Sequence, residues 1–152
     1  MKFQKKLAVT ALFAALAAAS VVAQAQTVRI ANQGDALSMD PHSLNESLQL
    51  SVTSNVYEPL VGRNKDLSLA PALATSWKQT SPTVWRFELR KGVQFHDGTP
   101  FTADDVVFSL GRMKGDGSDM KATNSDVKQV RKIDDHTIEN ETQAPHLILT
   151  DV

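Results

Sequence analysis

The stretch Gly92 to Leu110, GVQFHDGTPFTADDVVFSL, sets a histidine beside an aspartate and follows them with two more aspartates, Asp104 and Asp105. An imidazole and several carboxylates converging on one point would make a catalytic or metal site. The same residues spaced differently would be local devices that build a corner of a fold. Thr102 stands where a helix N-cap belongs, Asp105 follows three residues later as the reciprocal partner of a capping box, and Pro100 precedes both. Phe101 and Val106 have the spacing of a hydrophobic staple across that cap. Ala103, Val106, Val107 and Leu110 then recur at i, i+3, i+4 and i+7, which predicts a helix with one apolar face. Asp104 and Asp105 fall in its first turn, where exposed N–H groups and the helix dipole favour negative charge. Asp97-Gly98 is a turn dipeptide, the glycine supplying a positive φ without steric cost. Each acidic residue therefore has a structural task.

The chemical alternative fares poorly on spacing. The histidines, His42, His96, His136 and His146, are scattered and form no i, i+4 pair that would suit a metal. No G-x-S-x-G elbow or similar poised nucleophile accompanies them. A secreted hydrolase built on His96 and Asp97 thus has only two adjacent residues in its favour. We expect no enzyme, no metal site and no cofactor.

Outward from the corner, TVWRFELR alternates Trp85, Phe87 and Leu89 against Arg86, Glu88 and Arg90, the clearest strand pattern in the chain. Val93 and Phe95 are expected to extend it past Lys91-Gly92. Upstream, Thr80-Ser81-Pro82 predicts a reversal and Thr75 to Lys78 a strand. Leu60-Val61-Gly62 predicts a short strand, and Asn64 to Asp66 a turn. Leu48, Val52 and Val56 recur every four residues, predicting an amphipathic helix from Glu46 to Tyr57 that Pro59 ends. LSMDPH is expected to be extended, since Pro41 biases Asp40 away from helix, and TVRIANQ, with Val28 and Ile30, to be a half-buried strand. Downstream, KGDGSDMKATNSD predicts a polar loop, and VKQVRKI, Asp134-Asp135 and HTIENET a final hairpin. PHLILTDV places Leu147, Ile148 and Leu149 after a proline, as though a further element begins there.

Residues 1–25 have the three parts of an export signal: Lys2, Lys5 and Lys6, an apolar run from Leu7 to Val22, and a small-x-small site ending at Ala25, so that the mature chain would start at Gln26. The run is shorter than the roughly 20 residues a membrane-crossing helix needs. Removal rather than anchoring is the expectation. There is no cysteine, which excludes disulfides, thiolate metal sites and a lipid-modified cysteine at the cleavage point. The formal charge is −1 and becomes more acidic once those lysines are lost, and no basic run interleaves with aromatics. Nucleic acid is excluded as an expected partner. These features together predict a protein of a Gram-negative periplasm.

The order ALATSWKQTSPTVWRFELRKGVQFHDGTPFTADDVVFSL resembles the signature region of bacterial extracellular solute-binding proteins of family 5, the peptide- and nickel-binding receptors of ABC importers. The likeness rests on Leu73, Ala74, Ser76, Trp77, Trp85, Phe87, Leu89, Arg90, Gly92, Phe95, Asp97, Gly98, Thr99, Pro100, Thr102, Ala103, Asp105, Val106 and Ser109. SMDPH, NVYEPLV and VRKIDDHTI agree with it on the flanks. Met39 replaces the common leucine, and ENET lacks the apolar alternation usual in the last hairpin. The resemblance implies a mixed α/β, two-lobed fold of the type II periplasmic-binding-protein kind, with only its N-terminal part present. Residues 26–45 would begin lobe I, residues 46–152 would form an incomplete second subdomain, and the C-terminal lobe would be absent.

That family traps its ligand between two lobes by hinge closure. The resemblance implies a monomeric receptor that delivers di- or oligopeptides to an inner-membrane permease. Nickel, a metal chelate, glutathione or haem is the alternative cargo, and a nonfunctional fragment is a reading of another class. Asn45, Glu46 and Ser47 fall where members of the family approach the ligand from lobe I; without the resemblance they read as a loop and a helix cap. The Lys114–Asp126 loop could reach the cleft edge or be a solvated linker. Trp77, Trp85, Phe87 and Phe95 could line a pocket, but alternation on one sheet face favours core packing.

Overall fold

The computed structural model describes residues 27, 29, 31, 32 and 34–145. The export segment with its Ala25/Gln26 cleavage point, Val28 and Ile30 of the expected first strand, His146, and the group Leu147 to Leu149 lie outside the described residues. Thr27, Arg29, Ala31 and Asn32 carry no regular structure and are exposed. Residues from Gly34 onward form one unit, and every helix and strand named below belongs to it.

Its centre is the strand predicted most clearly. β4 (Val84–Leu89) pairs on one side with β3 (Ala74–Ser81) and on the other with β6 (Thr137–Thr142), which pairs with β5 (Val127–Asp134). All the pairings are antiparallel, in the order β3-β4-β6-β5. Directly opposed residues share a face. Trp77, Phe87 and Ile138 make an apolar row that Lys132 closes at the β5 edge, and Gln79, Trp85, Asn140 and Val130 make a mixed row beside it. On the other face Lys78, Arg86, Glu139 and Arg131 align across all four strands. There Glu139 accepts from Arg86 at 2.7 Å and from Arg131 at 3.1 Å. One face is thus mostly apolar and the other charged, the ordinary arrangement of an antiparallel sheet covered on one side.

The cover is α2 (Ala103–Met113), packed against β5 and β6. The buried side of this helix is Ala103, Val106, Leu110 and Met113, the predicted stripe carried one turn further, with Val107 half-buried at its margin. These residues join Phe87, Leu89, Phe101 and Ile138 in one core. Each large apolar side chain removed from water contributes about 1.5–3 kcal/mol.

Four expectations require correction. Val93 and Phe95 do not prolong β4: Gly92 takes φ 73° and the chain bends away, leaving only a bridge between Gln94 and Pro100. Phe95 is 46% exposed and meets Phe101 edge-on at 6.1 Å. The helix predicted over 46–57 is shorter, α1 (Ser47–Thr53), and its buried residues are Gln49 and Thr53 rather than the apolar stripe. Leu48 and Val52 are half-buried and Val56 is exposed. The buried polar side chains are bonded there: the Gln49 amide donates to the Ser38 carbonyl outside the helix, and the Thr53 hydroxyl donates to the Gln49 carbonyl one turn back. The segment LSMDPH is not extended throughout. Pro41 sits second in a turn closed by the Ser43 N–H on the Asp40 carbonyl at 3.2 Å, a position its fixed φ favours.

The fourth correction concerns Lys114 to Asp126, which is mostly exposed, as expected of a solvated linker, but is anchored to the core at two points. Met120 and Asn124 are buried, and the Asn124 amide donates to the Leu110 carbonyl at 2.9 Å near the end of α2. The expected strand over Thr75 to Lys78 runs on to Ser81, and the strand expected at Leu60 to Gly62 is shifted by one residue and gains a partner the sequence did not suggest. β1 (Val61–Arg63) and β2 (Leu69–Pro71) form a small hairpin, closed by Asn64 to Ser68 with Leu67 at φ 67°. The final hairpin forms as predicted, but its inward positions 140 and 142 are a buried asparagine and threonine.

Candidate functional site

The three carboxylates of the corner face three different partners. Asp97 accepts from the Thr99 N–H at 2.9 Å and the Thr99 hydroxyl at 2.7 Å. These bonds hold its carboxyl below the ordinary carboxylate range. They close a turn in which Gly98 takes φ 86° and its N–H donates to the Phe95 carbonyl. Asp104 pairs with Lys132 at 2.6 Å, binding the first turn of α2 to β5. Asp105 completes the capping box, accepting from the Thr102 N–H at 2.7 Å and from its hydroxyl at 3.2 Å. Phe101 and Val106, the two ends of the staple, are both buried. Pro100 sits in the bridge to Gln94, and His96 is exposed. Nothing converges on a reacting atom, and no group of three or more possible metal ligands occurs among the described residues.

Asn45, Glu46 and Ser47 lie together at the head of α1, all exposed. Glu46 is the N-cap residue, with extended backbone and no side-chain capping bond, so the cap that the sequence suggested there is not made by this side chain. The residues therefore present three polar side chains to solvent from one short turn. Of the aromatic candidates, Phe87 is in the core, Trp77 and Trp85 pack partly against it, and Phe95 is on the surface.

One cluster escaped the sequence reading. Arg112, in the last turn of α2, grips Asp40 through both guanidinium nitrogens, one at 2.7 Å, and reaches the His42 Nδ1 at 3.2 Å. The Asp40 carboxylate also accepts from the His42 N–H at 3.0 Å. The guanidinium, followed by that N–H, holds the Asp40 carboxyl well below the usual carboxylate range. Burial, reinforced by the Arg112 charge, pushes the His42 imidazole down. The partners are 72 residues apart, and no spacing rule links them. The available hint was a cation at the helix end, which reads by itself as a dipole partner. A second fork, Arg90 on Glu58 at 2.7 and 2.8 Å, ties the segment leading into β1 to the residue that follows β4.

The corner of turn, staple and capping box lies within the region that the comparisons match. The family profile for "Bacterial extracellular solute-binding proteins, family 5 Middle" matches residues 68–150, more than half of the chain. The chain belongs to the bacterial extracellular solute-binding proteins of family 5. It is 35% identical over 102 residues to the periplasmic oligopeptide-binding protein OppA of Escherichia coli K12, covering 67% of this chain and 19% of that protein. It is 31% identical over 148 residues to the glutathione-binding protein GsiB of Pectobacterium atrosepticum, covering 95% of this chain and 29% of the relative. Among solved structures, NikZ from Campylobacter jejuni in complex with Ni(L-His) superposes with a TM-score of 0.69 at 25% identity, covering 78% of this chain and 24% of that one. The periplasmic-binding-protein fold read from the sequence is therefore the observed one. OppA and GsiB are both named as binding proteins, and this chain spans less than a third of their length.

Proposed function

We propose that this chain is the N-terminal part of a periplasmic receptor that captures di- or oligopeptides for an inner-membrane ABC permease. The observation that carries the reading is the family match over the sheet and corner, with the oligopeptide-binding protein among the relatives. The charge, the export-type leader and the absence of cysteine suit a soluble periplasmic component, and no described helix is long and apolar enough to cross a membrane. On this reading the protein has no catalytic step, residues 26–45 begin lobe I, and residues 46–152 belong to the second subdomain. Asn45, Glu46 and Ser47 supply hydrogen-bonding groups to a peptide backbone. Their support is exposure at one loop: three adjacent polar side chains stand free of the core where a bound strand could pair with them.

The test is a thermal-shift screen of the full-length protein, of which this chain is a part on this reading, against a library of di- to pentapeptides, followed by calorimetry on the hits. Stabilisation by a subset of peptides is expected. A flat response across peptides and related solutes would sink the reading. Nickel is a second reading, favoured by the likeness to a nickel-histidine complex. Titration with nickel and histidine separates it, since saturable heat with that pair and none with peptides would reverse the assignment.

A further inference from the structure

Asn45, Glu46 and Ser47 sit between two short segments that have little apolar anchorage of their own. Leu37 and Met39, just before them, are 82% and 49% exposed. What holds this part of the chain is polar. On one side Asp40 organises the turn, accepting the His42 N–H on its carboxylate and the Ser43 N–H and hydroxyl on its carbonyl. On the other, Gln49 of α1 donates to the Ser38 carbonyl. Both depend on where Asp40 stands, and Asp40 is clamped by the Arg112 fork. The same guanidinium donates to His42 Nδ1, and the His42 carbonyl accepts from the Asp119 N–H at 3.0 Å. The turn is thereby tied to the end of α2 and to the loop that succeeds it.

An isolated surface ion pair contributes ~0–1 kcal/mol. A bidentate fork with a third contact on the same turn fixes direction as well as distance, because the planar guanidinium matches the carboxylate in one orientation. We infer that Arg112 is a positioning residue: by clamping the Asp40–His42 turn onto α2, it holds Asn45, Glu46 and Ser47 in the arrangement that meets the solute. This rests on the reading of those three residues as ligand contacts. On this assignment Arg112 acts through Asp40 and His42. The His42 ring accepts at Nδ1 and so carries its proton at Nε2.

The experiment compares the unsubstituted full-length protein with its Arg112→Met variant and with Asp40→Asn, which keeps the shape of the turn while removing its charge, should the first variant fold poorly. Amide hydrogen exchange without ligand is read together with calorimetry on a peptide that the unsubstituted protein binds. Exchange at His42, Ser43 and Leu50 should quicken on the order of tenfold while Phe87 and Ile138 in the sheet stay unchanged. Peptide affinity should fall by about tenfold, a loss of ~1.4 kcal/mol, and Arg112→Lys, with one point charge in place of the fork, should recover part of it. Unchanged exchange in the turn overturns the clamp. Faster exchange with unchanged affinity overturns the positioning role. If the unsubstituted protein binds no peptide, the functional reading fails first, and this assignment fails with it.

Discussion

Residues 74–142 and residues 34–58 are stabilised by different means. In the first region, strands alternate, the helix stripe matches them, and Phe87, Leu89, Phe101, Val106 and Ile138 share one core. In the second, the helix buries a glutamine and a threonine, Val56 and Tyr57 beyond its end are exposed, and Asp40, Arg112, Ser38 and Gln49 tie the segment down. The sheet is fixed by apolar area, which tolerates small displacements. The leading segment is fixed by a few directed bonds, which do not. On the proposed reading a receptor gains from this division, because a contact loop on a directionally clamped segment can be altered through a few polar side chains without disturbing the sheet.

The contrast is most exposed to test at its apolar end. Phe87→Ala should destabilise the protein by about 3–5 kcal/mol, read from the denaturant midpoint, since it empties the centre of the core. A loss comparable to that of a surface substitution would mean that the sheet is not the stabilising region. Thr102→Ala should cost about 1 kcal/mol by loss of the cap hydroxyl. Asp105→Ala should cost at least as much, because its carboxylate takes both the Thr102 N–H and hydroxyl.

The leading segment should show itself in acid. Asp40 has its folded pKa depressed, so its contribution is complete above the ordinary carboxylate value near 4 and is lost as pH falls through the folded value. His42 is also depressed. Protonating it is harder in the folded state, so stability begins to fall as pH drops below the ordinary histidine value of about 6.5. Urea midpoints between neutral pH and pH 3 should therefore decline less steeply in Asp40→Asn and in His42→Asn than in the unsubstituted protein. Identical slopes would mean that the cluster does not stabilise the segment. The smallest effect belongs to the residue that first suggested catalysis: His96→Ala should change stability by less than about 0.5 kcal/mol.

The sheet and corner were legible because their causes are local. Alternation at Trp85, Phe87 and Leu89, turn chemistry at Asp97-Gly98, and the Thr102 to Asp105 spacing each act within a few residues, and all pointed to one answer. Errors fell where tertiary contacts overrode pattern. The 46–57 stripe called for leucine and valine inward, but the short helix buries Gln49, which bonds Ser38 outside it, and Thr53. The Lys114–Asp126 loop looked solvated because its anchors, Met120 and Asn124, are two residues among many polar ones.

The family, the antiparallel sheet with its covering helix, and the structural role of the acidic corner were all set at the level of the amino-acid order, because they arise from short-range periodicity and capping. How the candidate contact loop is held was decided only on folding. Its clamp joins Asp40 to Arg112 across 72 residues, and the direction of a charged hydrogen bond between distant side chains leaves no periodic trace in the chain.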